Sequence, residues 1–415
     1  MWTVKRSLKE RWKAFTERLL SRLKSERKSA AIVASERILR YPRRMRWVAT
    51  ALSLALYAGT AAASEPADAP RIAISADRLT SLQAIVRADG AAARPFDSVK
   101  RTADRALAER PQPVKRIVSE GTLYSNPEKK RSLAARRDLF NIEALGYAYA
   151  VTGNREYGGK AREFILAWTR TYAVEGNPIN ETEFVRLMRG YDLARGLFSP
   201  PERAEAERWL LRMAEQERNA VRPGTTSAEN NHMSHRLKII GHVGYLLADE
   251  GLRRWTTAEY RRHADRNLNR DGTTFDFHQR DALHYHVYDV LPLVELCLAA
   301  EQNADRLYAH VTSTGATLEN AIAFLIPYIE GEKTHPEFVR STVEFDRERS
   351  AAGDPTIRVG AVWKAEEARR LFDLAGYFSP RFHAVKFPGG ERESFDRWLA
   401  QLGRAEKNSG GKTAP

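Results

Sequence analysis

Apolar residues recur three and four positions apart through much of the chain. The spacing predicts helices over 139–150, 161–172, 184–197, 203–221, 234–247, 291–300 and 315–329, while strand-like alternation is scarce. Short breakers separate these segments: Thr152-Gly153-Asn154, Gly176-Asn177-Pro178, Ser199-Pro200-Pro201 and Asp271-Gly272. Helix, turn and helix repeat without a fixed sequence period, which predicts packed helical hairpins rather than a regular solenoid. Pro292 interrupts one helical pattern, so 282–290 is expected as a short helix, or as a lead-in to a helix beginning near Leu291. The run Val294-Glu295-Leu296-Cys297-Leu298 reads as a helix packed into the core.

Charge changes the picture at one end only. The 415 residues carry a net charge of +14, but residues 1–63 hold fifteen Lys plus Arg against four Glu. The remaining 352 positions, with 52 basic and 49 acidic residues, are almost neutral, which removes the case for a nucleic-acid partner. Within the basic leader, Arg43, Arg44 and Arg46 precede an apolar run from Trp47 to Gly59, and Ala61-Ala62-Ala63-Ser64 follows. That is the pattern of a secretory signal, and the run falls short of the ~20 residues a membrane span needs. The expected division is a basic extension over 1–44 with Met45 as the true start, a signal peptide over 45–63, and one domain over 64–415, exported to the periplasm. An uncleaved signal anchor is the other reading, and the only expected membrane contact. No Pro/Gly/Ser-rich linker divides the later chain, and a monomer is expected. The lone Cys297 forms no disulfide within the chain.

The candidate chemistry gathers in two clusters. Residues 271–288, DGTTFDFHQRDALHYHVY, place His278, His284 and His286 with Arg280, Tyr285 and Tyr288 around a turn and a helix start. About forty residues upstream lies Asn230-Asn231-His232, after the loop 223–227. An amide, an imidazole, a guanidinium and a phenol brought together can hold a carboxylate and move the proton beside it. Taken singly, Asn231 could be the N-cap of a helix starting at His232, and the histidines and tyrosines could be half-buried core residues. If 282–290 is helical, His284 and Tyr288 share one face and Asp281 and Tyr285 a neighbouring one. The histidine spacing matches no zinc pattern. Lys129-Lys130-Arg131 with Arg136-Arg137 could steer a polyanion or simply form a solvated helix start.

At these clusters the sequence resembles the alginate lyase family of polysaccharide lyases. The resemblance rests on Asn231-His232, on Arg280-Asp281-Ala282-Leu283-His284-Tyr285-His286, and on Gly176-Asn177-Pro178-Ile179-Asn180-Glu181, and it spans roughly 123–300. It implies an all-α fold, an incomplete α/α toroid, and β-elimination at a uronic acid without metal or organic cofactor. Two positions depart from the family pattern: Met233-Ser234-His235 follows His232, and His278 stands where an arginine is expected, leaving Arg280 as the nearest candidate. In the implied mechanism Asn231 and Arg280 neutralise the substrate carboxylate, with His278 as the other candidate for the arginine's role. His232 is the base for one C5 configuration, and Tyr285 is the base for the other and the acid for the O4 leaving group. Arg280 or a protonated histidine is expected to lower the phenol pKa of Tyr285. Lys130, Arg131, Asn177, Asn180, Glu181, His278, His284 and Tyr288 are the candidate substrate contacts, and the partner is an anionic polysaccharide. A glucuronan lyase, a non-catalytic uronan-binding protein and a glycoside hydrolase using two of Glu181, Glu229, Asp271 and Asp276 are the alternatives.

Overall fold

The computed structural model describes residues 69–88 and 90–409, and the expected basic extension and signal peptide lie outside them. The described chain runs α1 (Ala76–Arg87), α2 (Arg94–Ala108), α3 (Pro127–Ala135), α4 (Arg137–Thr152), α5 (Arg155–Thr171), α6 (Pro178–Glu181), α7 (Phe184–Ala194), α8 (Pro200–Asn219), α9 (Asn231–Leu246) and α10 (Glu250–Asn267). It continues through α11 (Phe275–Arg280), α12 (Leu283–Gln302), α13 (Leu318–Ala323), α14 (Ile326–Ile329), α15 (Glu344–Ala351), α16 (Arg369–Ala375) and α17 (Phe395–Ser409). Among the described residues β structure is confined to isolated bridges such as Leu268 with Thr274. None of the described helices is long and apolar enough to cross a membrane.

Helix boundaries follow the local signals. Asn154 caps α5 by accepting from the Glu156 N–H at 3.0 Å. At the start of α8, Glu202 accepts from the Ser199 N–H at 2.9 Å. Gly153 ends α4 in the left-handed region at φ +73°. Nearly every side chain of α7, α9 and α12 is buried, as expected of helices surrounded by protein, whereas α5, α8 and α10 bury one face. The inner helices α4, α7, α9, α12 and α16 succeed one another around a ring, each packed on the next, with α5, α8 and α10 outside. Helix α17 packs on α1 and α2, and its Phe395 ring meets that of Tyr147 on α4 at 4.9 Å, joining the two described ends. Helices α4 and α7 approach through Gly146 and Gly190: a Cβ on Gly146 would stand 2.8 Å from the Gly190 Cα.

Inner helices facing one another bury charge as well as apolar surface. Glu295 on α12 receives Arg189 at 3.3 Å, Lys238 at 3.1 Å and Arg370 at 2.8 Å, and Arg189 also meets Glu143 at 3.1 Å. Burial opposes ionisation of Glu295, yet these cations hold its carboxyl well below the usual range. Pro292 corrects one expectation: it lies inside α12, which runs unbroken from Leu283 to Gln302. The Tyr288 carbonyl, deprived by Pro292 of its helical donor, adjoins the His235 imidazole instead. Cys297 is buried on α12, with its Sγ 3.7 Å from the Tyr260 hydroxyl.

Candidate active site

Helix α9 begins one residue earlier than the sequence suggests. Asn230 is the N-cap, its Oδ1 accepting from the His232 N–H at 3.1 Å, so the cap role considered for Asn231 belongs to its neighbour. Asn231 is buried and makes two bonds to Asp276 on α11: the backbone N–H reaches Oδ2 at 2.7 Å, and one N–H of the amide Nδ2 reaches Oδ1. Burial pushes the Asp276 carboxyl up to about 6, against the two bonds from Asn231.

His232, beside it, remains partly exposed. Its Nδ1 faces Asn230 Oδ1 at 3.2 Å, and its Nε2 faces Glu120 Oε1 at 3.2 Å. Both ring nitrogens therefore point at acceptors. Bonding to His232 holds Glu120 below the usual carboxylate range, and Glu120 also accepts from Asn177 Nδ2 at 2.8 Å.

The hexapeptide 176–181 turns out to brace this loop. Asn177 Oδ1 caps α6, accepting from the N–H groups of Ile179 and Asn180 at 3.1 Å each. Asn180 Oδ1 accepts from the N–H groups of Ser119 at 3.1 Å and Glu120 at 3.0 Å. Glu181 faces inward, with zero exposure, between the Tyr172 hydroxyl at 3.2 Å and the Glu175 N–H at 2.7 Å. Burial, with the Glu217 carboxyl beside it, pushes Glu181 up to about 9. One proton between Glu181 Oε2 and Glu217 Oε1 supplies the donor both oxygens otherwise lack. Asn180 and Glu181 are buried, while Asn177 is half-buried beside Glu120.

The other half of the site grows from the start of α12. No side chain of Ala282 caps that helix; the Glu337 carboxyl does, accepting from the N–H groups of Leu283 at 2.8 Å and His284 at 3.0 Å. Asp281 turns the chain between α11 and α12 in the left-handed region, φ +48°, held by Arg340 at 2.9 Å. The Tyr285 hydroxyl then accepts from Arg349 Nη1 at 3.1 Å, while the Arg280 guanidinium lies 3.9 Å from the centre of its ring. Arg280 Nη1 is bonded to buried Asp346, and Arg349 is bonded to Asp354 at 2.8 Å. Burial pushes the Tyr285 phenol up, and the two guanidiniums pull the opposite way. The expected lowering is thus present as a force but does not win, because desolvating a phenolate outweighs two partly buried cations.

The remaining candidates divide. His284 meets Glu367 at 2.7 Å and lies parallel to the Tyr288 ring at 6.4 Å, as helical spacing requires. Tyr288 contacts His235 of α9 at 4.3 Å between ring centres, which joins the two halves. His278 turns to the Thr273 hydroxyl at 2.8 Å and lines a shallow cavity with Arg266, Asn269 and Gln279. Lys130 and Arg131 are exposed on α3, as a solvated helix start would be. Their neighbours face inward: Lys129 is buried and donates to the Thr122 carbonyl at 2.7 Å, and burial together with nearby Arg349 lowers its pKa. Arg136 acts on both Lys129 and Tyr288. Sequence reasoning missed Arg349 and Glu120, which lie in stretches with no motif.

The sequence model of the alginate lyase family matches residues 85–335, more than half of the chain. An exo-oligoalginate lyase of Saccharophagus degradans is 22% identical over 204 residues, which are 43% of this chain and 26% of that protein, so the match spans about a quarter of the relative. A solved alginate lyase from Bacteroides ovatus shares the fold at a TM-score of 0.61 and 17% identity, over 80% of this chain and 98% of the other. The ring of hairpins is accordingly an α/α toroid.

Proposed function

The chain belongs to the alginate lyase family, a family of polysaccharide lyases, and from that premise we propose that it cleaves a 4-linked uronic-acid polymer by β-elimination in the periplasm. Periplasmic location rests on the signal-like pattern in residues 43–64. The observation that carries the chemistry is the Tyr285 phenol held between Arg280 and Arg349, with Lys129 and Arg136 close by. A C5 proton beside a carboxylate is hard to remove, because the intermediate adds charge to a group already charged. Cations and amide donors fixed before reaction lower that barrier.

In this scheme Arg349 and the Asn231 amide neutralise the substrate carboxylate. Arg280 is committed to Asp346 and to the face of the phenol, where it favours the phenolate as charge develops. Tyr285 donates its proton to the O4 leaving group and, as phenolate, removes the C5 proton of one epimer. His232 serves the other epimer once Glu120 releases its Nε2. A hydrolase fits less well: Glu181 is buried against Glu217, and Asp276 is taken up by Asn231, so neither stands ready as half of a carboxyl pair.

The test incubates the full-length chain with polymannuronate, polyguluronate, polyglucuronate and a neutral glucan and follows ultraviolet absorbance. A new absorbance on one uronan and none on the glucan is expected. Binding without absorbance identifies a uronan-binding protein, and new reducing ends without absorbance identify a hydrolase; either overturns the proposal.

A further inference from the structure

Behind the Asn231 amide lies a buried set of polar groups on four helices. Asp276 of α11 and Asp289 of α12 both have zero exposure. Ser234 of α9 donates its hydroxyl to Asp289 Oδ1, and His263 of α10 meets the same hydroxyl at 2.7 Å. The Asn267 amide adjoins Asp289 and donates Nδ2 to the Glu229 carbonyl at 2.9 Å. Asp289 Oδ2 and Asn267 Oδ1 are buried with no donor, and a proton on Asp289 supplies one. Burial and the neighbouring Asp276 push Asp289 well up, in keeping with that proton. The pair then carries one negative charge, on Asp276.

We propose that Asp276 is a positioning residue that, as the single anion of this pair, fixes the Asn231 amide with its remaining N–H toward the substrate carboxylate. The inference rests on the lyase reading of Asn231. Asn231 offers two donors side by side, the backbone N–H and the Nδ2 amide, and a carboxylate meets both with two acceptors. An asparagine at 276 has one acceptor and one donor. Its oxygen must take the backbone N–H, its NH2 must face the side chain, and the Asn231 amide must turn over to accept. Protonation of Asp276 does the same, since its O–H then faces a donor. The groups acting on Asp276 are Asn231 and His232 from α9, Arg280 from its own helix and Asp289 from α12.

The experiment compares wild type with Asp276→Asn, reading kcat, KM, the pH profile of kcat and the melting midpoint. Because the misplaced donor acts on the transition state, kcat should fall by about 10²-fold with KM nearly unchanged. Wild-type kcat should decline as pH falls through about 6, and that limb should vanish in the variant. Equal kcat and an unaltered acid limb overturn the proposal, as does a loss explained wholly by a lower melting midpoint.

A second measurement needs no turnover. With 15N-asparagine labelling, the Asn231 side-chain amide, assigned by its absence in Asn231→Ala, should exchange slowly and titrate with the acid limb. An amide that exchanges freely and ignores pH overturns the proposal. A wild type without lyase activity defeats the proposed function alone and leaves the amide measurement to decide this one.

Discussion

The two halves of the candidate site are built on opposite charge. Around Asn231 the supporting groups are carboxyls, Asp276, Asp289, Glu181 and Glu217, each pushed up by burial, to which a neighbouring acid adds for Asp289 and Glu181. Around Tyr285 they are cations, Arg280 and Arg349, with Lys129 and Arg136 nearby. Carboxyls packed in pairs hold protons and hydrogen-bond geometry but cannot attract a uronate. Guanidiniums partly open to solvent attract it and take up the developing charge. The contrast assigns placement to the first half and electrostatics to the second.

Tyr285→Phe should break the second half most completely. General acid–base groups contribute about 10²- to 10⁴-fold, so turnover should nearly vanish, while the melting midpoint moves little because one hydroxyl contact is lost. Tyr288→Phe should be milder; the reverse order would move the acid–base role within the motif.

Arg349 and Arg280 should separate rate from stability. Arg349→Ala should cost about 10²- to 10³-fold in kcat with a modest change in melting. Arg280→Ala strips the buried Asp346 of its cation, leaving that carboxylate with the Ser341 hydroxyl at 2.7 Å. Removing one partner of a buried ion pair costs about 3–5 kcal/mol, so its main effect should be on the melting curve. An unchanged midpoint with a larger rate loss for Arg280→Ala would return the carboxylate role to Arg280.

Glu337 is an acid placed in the cationic half, and burial pushes it up to about 8. A folded-state value above the unfolded one means stability is fully present below the usual glutamate range and is lost as pH rises through about 8. Melting midpoints of wild type should decline over that window, and Glu337→Gln should flatten the decline. A parallel decline in the variant would assign it to another group.

The smallest effect is expected at Glu120, the carboxylate facing His232. Glu120→Gln should raise kcat/KM on a polyanion by about two- to fivefold, as a partly exposed charge interaction allows, and added salt should erase the gain. A salt-independent decrease would make Glu120 an orienting partner of His232 instead.

Much of this architecture is legible from spacing alone. Helices α4, α5, α7, α8 and α9 overlap the apolar periodicity, and the breakers at Gly153 and Ser199 fall at their ends. Helix α10 escaped because its buried stripe is Leu252, Thr256, Tyr260, His263, Ala264 and Asn267, half of it polar, so apolar spacing alone does not reveal it. Pro292 misled because the carbonyl it frees meets a histidine from another helix.

The sequence by itself determined the helical class, the hairpin rhythm and the residue types of both clusters, since these depend on neighbours a turn apart. Tertiary structure decided which groups face them. Arg349 reaches Tyr285 across 64 residues, Asp276 reaches Asn231 across 45, and Glu120 reaches His232 across 112. Charge and burial at those contacts set whether a phenol, an amide or an imidazole is free to act. Local periodicity carries no record of them, because the pairing energy exists only after the chain has closed the loops between its partners.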